Sequence, residues 1–203
     1  MKTQTKITQE QLSSKDAHKI LVEGNNRFVH NKKAQRNLND QVIETSEGQY
    51  PFAVILSCID SRVPAELVFD QGIGDIFSVR VAGNIVNEDI LGSMEYACKV
   101  AGSKILVVMG HTKCGAVTAA CNHVELGNIT PLLEKIKPAV NAIEANLSEK
   151  ETIPIEEVAA LNVKLSIDRI RKESPILSEL EKEGTIEIVG AMYDVATGKV
   201  EFY

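Results

Sequence analysis

Five side chains suited to chemistry sit at two places in the chain. Cys58, Asp60 and Arg62 alternate through "ILSCIDSR" at residues 55–62, and His111 and Cys114 share "GHTKCG" at 110–115. Two thiolates and an imidazole are a good donor set for zinc. Three protein ligands leave a fourth coordination position open, which marks a catalytic rather than a structural site. Asp60 would stand beside the metal. Two thiolates cancel the formal charge of zinc, so water there is less acidic than in a three-histidine site, and something must favour hydroxide. A carboxylate does so by accepting the hydrogen bond of the hydroxide, provided it stays ionised and off the metal. Arg62 meets both conditions, because it remains charged and its planar fork grips a carboxylate with two hydrogen bonds.

Each residue alone has a plainer reading. A cysteine at a strand end is commonly a small buried hydrophobe. A histidine after a strand is commonly hydrogen-bonded or exposed, and Asp-Ser-Arg is commonly a turn with a surface ion pair. Only a fold that joins the two segments makes a site of them. Cys98 and Cys121 lie in helical patterns beside alanines and read as core. His18 and His30 read as surface residues of an N-terminal arm, and His123 as ordinary.

The elements around these segments supply such a fold. "PFAVILS" (51–57) and "SKILVVMG" (103–110) are apolar runs suited to strands covered on both faces. "PAELVFDQG" follows the first with Pro64 near a helix start, and "DIFSVRVAG" is β-rich. "NEDILGSMEYACKVAG" carries apolar residues at helical spacing and closes on Gly102. "CGAVTAACNHVELG" reads as the helix after the second apolar run. Residues 131–182 read as helical, broken by "LSEKETIP" at 147–154. "TIEIVGAMYDVATGKVEFY" reads as a strand and a Thr-Gly hairpin at 197–198. Strands alternating with helices predict a single α/β domain with a mostly parallel sheet. Ligands of such sheets bind beyond the carboxyl ends of the strands. If the two apolar strands are neighbours, both chemical segments open into one crevice. Alternation along an extended backbone carried past Ser57 would project Cys58, Asp60 and Arg62 together. "GIGD" (72–75) lacks the spacing of a dinucleotide fingerprint and reads as a helix stop and a turn.

Residues 1–50 form an arm and connection ahead of an α/β core at 51–203. Ser13 or Ser14 caps an arm helix whose Ala17, Ile20, Leu21, Gly24 and Phe28 share one face. That stripe needs a surface, either its own core or a second subunit.

"CIDSRVPAE", "GDIFSVRVAGNIV" and "GHTKCGAV", in that order and spacing, resemble the β-class carbonic anhydrases, and the resemblance runs from about residue 15 to the C-terminus. It implies zinc on Cys58, His111 and Cys114, and a catalytic dyad of Asp60 and Arg62. The implied reaction is the reversible hydration of CO2 to bicarbonate and a proton, by attack of zinc-bound hydroxide. The implied sheet has core order 2-1-3-4 plus a fifth, edge strand. The implied assembly is a homodimer or a tetramer, with the N-terminal helix laid over the neighbour. Ile59 stands where the family commonly has Ser, and should point away from the metal. Ile55 stands where one branch has the Trp of an inhibitory bicarbonate site. Arg80 matches that site's arginine, but the chain has no Trp, so no bicarbonate switch is expected. Gln35 and Gln41 are candidates for a substrate-pocket glutamine, and Val63, Val81, Ala82 and Gly83 for the CO2 lining.

Composition narrows the field. The chain has 203 residues, 44% hydrophobic and 25% charged, enough for a sizeable core. A net charge of −6 without a Lys/Arg block argues against a nucleic-acid surface. The polar start "MKTQTKITQEQLSS" has no apolar signal region and no run suits a membrane span, so cytoplasm is the expected location. Four cysteines are too few for a disulfide scaffold. Three rivals remain: a zinc-binding relative without turnover, a thiol redox protein, and a zinc hydrolase. The complete Asp-Arg pair counts against the first, and the missing Cys-x-x-Cys against the second. The third needs a roomier polar pocket.

Overall fold

Every residue of strand β1 (Ala53–Ser57) and of β3 (Ile105–His111) is buried, as central strands covered on both faces require. The computed structural model describes residues 1–148 and 151–203. β1 and β3 pair in parallel, so the two apolar runs are neighbours. β2 (Ile76–Arg80) flanks β1, β4 (Glu187–Tyr193) flanks β3 in parallel, and β5 (Val200–Phe202) closes the edge antiparallel to β4. The order is β2-β1-β3-β4-β5, which is the core order expected with its edge strand. The hairpin before β5 turns on Asp194–Lys199, where Gly198 takes φ +77.

Alternation sorts the strand side chains onto two faces. Ala53, Ile55, Ile105, Val107, Met109 and Ala191 face one layer, with Phe52, Phe69 and Leu21. Val54, Leu56, Leu106, Val108 and Ile188 face the other. That second layer includes α5 (Glu88–Glu95), which runs into a π turn at Tyr96–Val100, together with α9 (Ile155–Glu173) and α10 (Pro175–Lys182).

Several helices end earlier than the sequence pattern suggests. The helix after β3 spans only Gly115–Cys121. His123 is left-handed and Val124 donates back to the Ala119 carbonyl, a capping arrangement that stops the helix. The 131–182 stretch also breaks at Ser174. A residue before proline is pushed out of helical conformation; Ser174 is extended, and its hydroxyl caps α10. The break at 147–154 is present where described; residues 149 and 150 lie outside the described residues.

The arm comprises Lys6–Gln11, Ser14–Val29 and Leu38–Glu44. Ser13 caps the second helix through the Asp16 amide. Its apolar stripe lies on this chain's own core, where Ala17 and Leu21 are fully buried. The approach is close because residue 24 is glycine. A Cβ at that position would stand 1.9 Å from the Phe69 carbonyl oxygen.

Asp70 secures the arm further. Its carboxylate accepts from Arg27 Nε at 2.5 Å, Arg36 Nη1 at 2.7 Å and the Ala34 amide at 3.0 Å. Burial alone would raise its pKa, but these three donors outweigh burial and hold it below the usual carboxylate value. Removing one partner from a buried ion pair costs about 3–5 kcal/mol. Asp70→Ala should therefore lower the melting temperature by roughly 10 °C. A depressed folded-state pKa stabilises above the unfolded value and loses that contribution as pH falls through the folded one. The difference in melting temperature between wild type and Asp70→Ala should accordingly shrink in acid. A gap that is constant with pH would remove the ion pair as its cause.

Candidate metal and catalytic site

The strand register brings the two chemical segments level. Ser57 pairs with Met109, and β3 continues two residues further to His111, just beyond the end of β1. Sγ of Cys58 and of Cys114 lie 4.0 Å apart. These sulfurs and a ring nitrogen of His111 all fall within 4.8 Å of one another, and all three residues are buried. Tetrahedral zinc with ordinary Zn–S bonds would separate two sulfurs by roughly 3.8 Å.

Backbone bonds aim each side chain. The Gly83 amide donates to Cys58 Sγ at 3.3 Å. Gly83 has φ +67, and a Cβ there would meet Ile136 Cδ1 at 2.6 Å, so glycine is needed for both conformation and space. Asn162 of α9 pins the same turn by donating to the Gly83 carbonyl at 2.9 Å. His111 Nδ1 lies 2.9 Å from the Thr112 carbonyl, which must accept its proton. That fixes the tautomer and leaves Nε2 with a free lone pair. His111 Nε2 is buried and has no hydrogen-bond partner among the described residues. A buried polar atom without a partner is costly, and a metal ion satisfies it.

The thiols differ in acidity. The bond from the Cys114 thiol lowers the Cys58 pKa, against burial and with help from His111 and the Gly83 amide. The Cys114 thiol is raised by that same bond and by burial. Cys98 lies in another part of the interior, whereas Cys121 shares the buried cluster of Cys58 and Cys114 without joining the Cys-His-Cys group. Burial pushes Cys98 up to about 12, and burial with the Glu144 charge raises Cys121. Both are buried, as expected of core residues.

Asp60 and Arg62 meet through a turn rather than through strand alternation. β1 ends at Ser57, and the Val63 amide donates to the Asp60 carbonyl at 3.0 Å. The Arg62 amide then donates to Asp60 Oδ1 at 2.9 Å, an Asx turn. The guanidinium folds back over the same carboxylate: Nε to Oδ1 at 2.9 Å and Nη2 to Oδ2 at 2.7 Å. These bonds, led by that side-chain pairing, hold the Asp60 pKa down to about 2. Asp60 Oδ2 sits 3.9 Å from His111 Nε2, beside the Cys-His-Cys group.

Arg80 donates through Nε to the Cys58 carbonyl at 3.2 Å and through Nη2 to the Asp60 carbonyl at 2.7 Å. It therefore braces the loop that carries both residues. Ile59 is exposed and points into none of the interior clusters. Of the expected lining residues, Val81 packs on the cluster containing Cys58 and Cys114, and Gly83 touches Cys58. Ala82 is half-buried beside them. Val63 is instead buried with Ile55 and Phe69, in the layer under the sheet. Gln41 is engaged at the turn before β2, accepting from the Ile73 amide at 3.2 Å, at the opposite end of the sheet from this site. The Gln35 carbonyl accepts from the N-terminal amine. His30 and His123 are exposed; His18 is half-buried and lies 3.3 Å from Glu187.

Fold and donor set define an open α/β protein with a Cys-His-Cys group that could hold a metal ion and an adjoining carboxylate-guanidinium pair at the carboxyl edge of its sheet. The carbonic anhydrase family profile matches residues 53–200. The chain is similar to the carbonic anhydrase of Mycolicibacterium smegmatis, 34% identical over 91% of each chain. It is similar also to carbonic anhydrase 2 of Mycobacterium tuberculosis, 35% identical over 90% of this chain and 89% of that one. Among solved structures, the β-carbonic anhydrase CcaA superposes with a TM-score of 0.75 at 26% identity, covering 92% and 94% of the two chains. CafA of Aspergillus fumigatus, another β-carbonic anhydrase, gives 0.74 at 27% identity, covering 81% of each. The chain belongs to the carbonic anhydrase family, in its β class. The reaction is the reversible hydration of carbon dioxide to bicarbonate and a proton, and the metal is zinc.

Proposed function

We infer that Cys58, His111 and Cys114 hold the zinc and that Asp60 and Arg62 serve the reaction beside it. The observation that carries this reading is the buried, unpartnered Nε2 of His111 with two thiol sulfurs in reach. When bound, zinc supplies the Lewis acidity that makes water a nucleophile near neutral pH. Asp60, with Oδ2 beside the Cys-His-Cys group, would accept a hydrogen bond from the attacking water and orient its lone pair toward carbon dioxide. It stays ionised for this role at neutral pH, because the Arg62 guanidinium holds its pKa down to about 2. Arg62 also prevents the carboxylate from turning, since both oxygens are engaged. Val81, Ala82 and Gly83 offer a largely apolar wall suited to a small nonpolar substrate. Hydration of carbon dioxide yields bicarbonate and one proton, which would have to be taken up outside this group of residues.

The arm at 1–50 and the core at 51–203 act as one unit, a reading supported by the Asp70 ion cluster and the close contact at Gly24. The working assembly is a homodimer, with a tetramer as its further association. Supporting this, Leu38, Val42 and Ile43 expose apolar side chains on one short arm helix. Among the described residues no helix is long and apolar enough to cross a membrane. The cytoplasm is the compartment proposed, consistent with four free thiols.

Zinc content and stopped-flow carbon dioxide hydration, measured on one sample across pH, test the reading. One zinc per chain with hydration activity is expected. Activity that survives complete zinc removal would overturn it.

A further inference from the structure

Between the two ligands His111 and Cys114, the backbone takes an unusual path. Lys113 has φ +55, a left-handed conformation that a residue with a long side chain adopts only when its surroundings hold it. Both polar groups of this residue's main chain are engaged. Its amide donates to Glu156 Oε1 at 2.9 Å, and its carbonyl accepts from Arg62 Nη2 at 3.2 Å. That same Nη2 bonds Asp60 Oδ2 at 2.7 Å. A continuous chain of hydrogen bonds therefore runs from Glu156, in the first turn of α9, through Lys113 and Arg62 to Asp60.

We propose that Glu156 is a positioning residue for the Asp60–Arg62 pair, acting by fixing the left-handed turn at Lys113 so that its carbonyl anchors Arg62. The inference rests on the reading that Asp60 and Arg62 serve the reaction. Two bonds to Asp60 orient the guanidinium within its own turn, but they do not tie that turn to the segment bearing His111 and Cys114. The bond to the Lys113 carbonyl makes that tie. Without an acceptor for the Lys113 amide, the left-handed turn has no side-chain support and its carbonyl is free to swing from Arg62. The hydrogen bond that the structure gives Glu156 comes from the Lys113 main chain, so its effect travels through this turn.

Helix position alone is a competing explanation, because an acidic residue in a first turn stabilises any helix. Glu157 occupies the same turn and serves as the control. The experiment compares zinc-loaded Glu156→Ala, Glu156→Gln and Glu157→Ala by stopped-flow hydration, with amide hydrogen exchange read over residues 111–115. Glu156→Ala should lower kcat about tenfold with little change in KM, at full zinc content and with faster exchange in the segment. Glu156→Gln keeps an acceptor oxygen and should stay within about twofold of wild type. Glu157→Ala should match wild type in both readouts. Wild-type kcat and exchange in Glu156→Ala overturn the proposal, as does an equal loss in Glu156→Gln or Glu157→Ala, either of which points to charge. Arg62→Ala run in parallel separates the two failures. If Arg62→Ala also turns over normally, the dyad reading is wrong; if only Glu156→Ala does, the anchor alone is wrong.

Discussion

His111→Ala is expected to leave the protein folded, nearly free of zinc, and slower in carbon dioxide hydration by roughly 10³-fold or more. The imidazole is wholly buried, its Nδ1 is committed to the Thr112 carbonyl, and its Nε2 has no protein partner. Removing it takes away one of three proposed ligands, and among the described residues no other histidine joins the Cys-His-Cys group. Changes to groups merely supporting a ligand cost ten- to a hundredfold in affinity, so loss of a ligand must cost more. Cys58→Ala should behave alike, and should also strand the Gly83 amide that donates to its sulfur. Cys121→Ala is the control, since that thiol is buried outside the Cys-His-Cys group. Its zinc content should equal that of wild type. Metal analysis and stopped-flow rates on the same preparations decide the matter. A His111→Ala protein with one zinc per chain and normal turnover contradicts the proposed ligation.

The meeting of Cys58, His111 and Cys114 could be expected from the sequence because both segments follow apolar runs suited to strands covered on both faces. Loops after neighbouring parallel strands share a crevice, and it is the family resemblance that implied the strand order. The supports of the group were not readable in the same way. Asn162 lies within an amphipathic helix and bonds Gly83, far away in sequence. Glu156 is one of two acids in a first helical turn, and only the fold sets it against the Lys113 amide. Such polar partnerships leave no periodic trace, because a hydrogen bond needs one donor and one acceptor and no repeat. The Asp60–Arg62 contact was anticipated with a different backbone. Extended alternation also places residues two apart on one side, so the spacing could not distinguish a strand from the Asx turn observed. Helix ends went astray for a related reason. His123 and Ser174 stop helices through one residue's dihedral angles, which a pattern averaged over several residues hides.

The turn at Asp60 gives the second large prediction its form. Asp60→Asn should retain zinc yet lower kcat by roughly 10²–10³-fold, in the range for losing a group that handles a proton in the reaction. The amide keeps the size of the carboxylate but replaces one oxygen with a donor. Either that NH₂ faces the Arg62 guanidinium, where two donors oppose each other, or it faces the reacting water, where an acceptor is needed. Arg62→Ala probes the same pair from the other side. The alanine keeps the main-chain amide that bonds Oδ1 but removes both guanidinium bonds, including the one from Nη2 to Oδ2. Asp60 should then rotate about its side-chain bonds, and turnover should fall although the carboxylate is still present. Arg62→Lys should rescue little, because an ammonium is a point charge and lacks the planar fork that engages both oxygens. Crystal structures of the two Arg62 variants, read beside their rates, make the test sharp. An Asp60 side chain unmoved in Arg62→Ala, with wild-type kcat, would show that the guanidinium neither holds the carboxylate nor matters to the reaction.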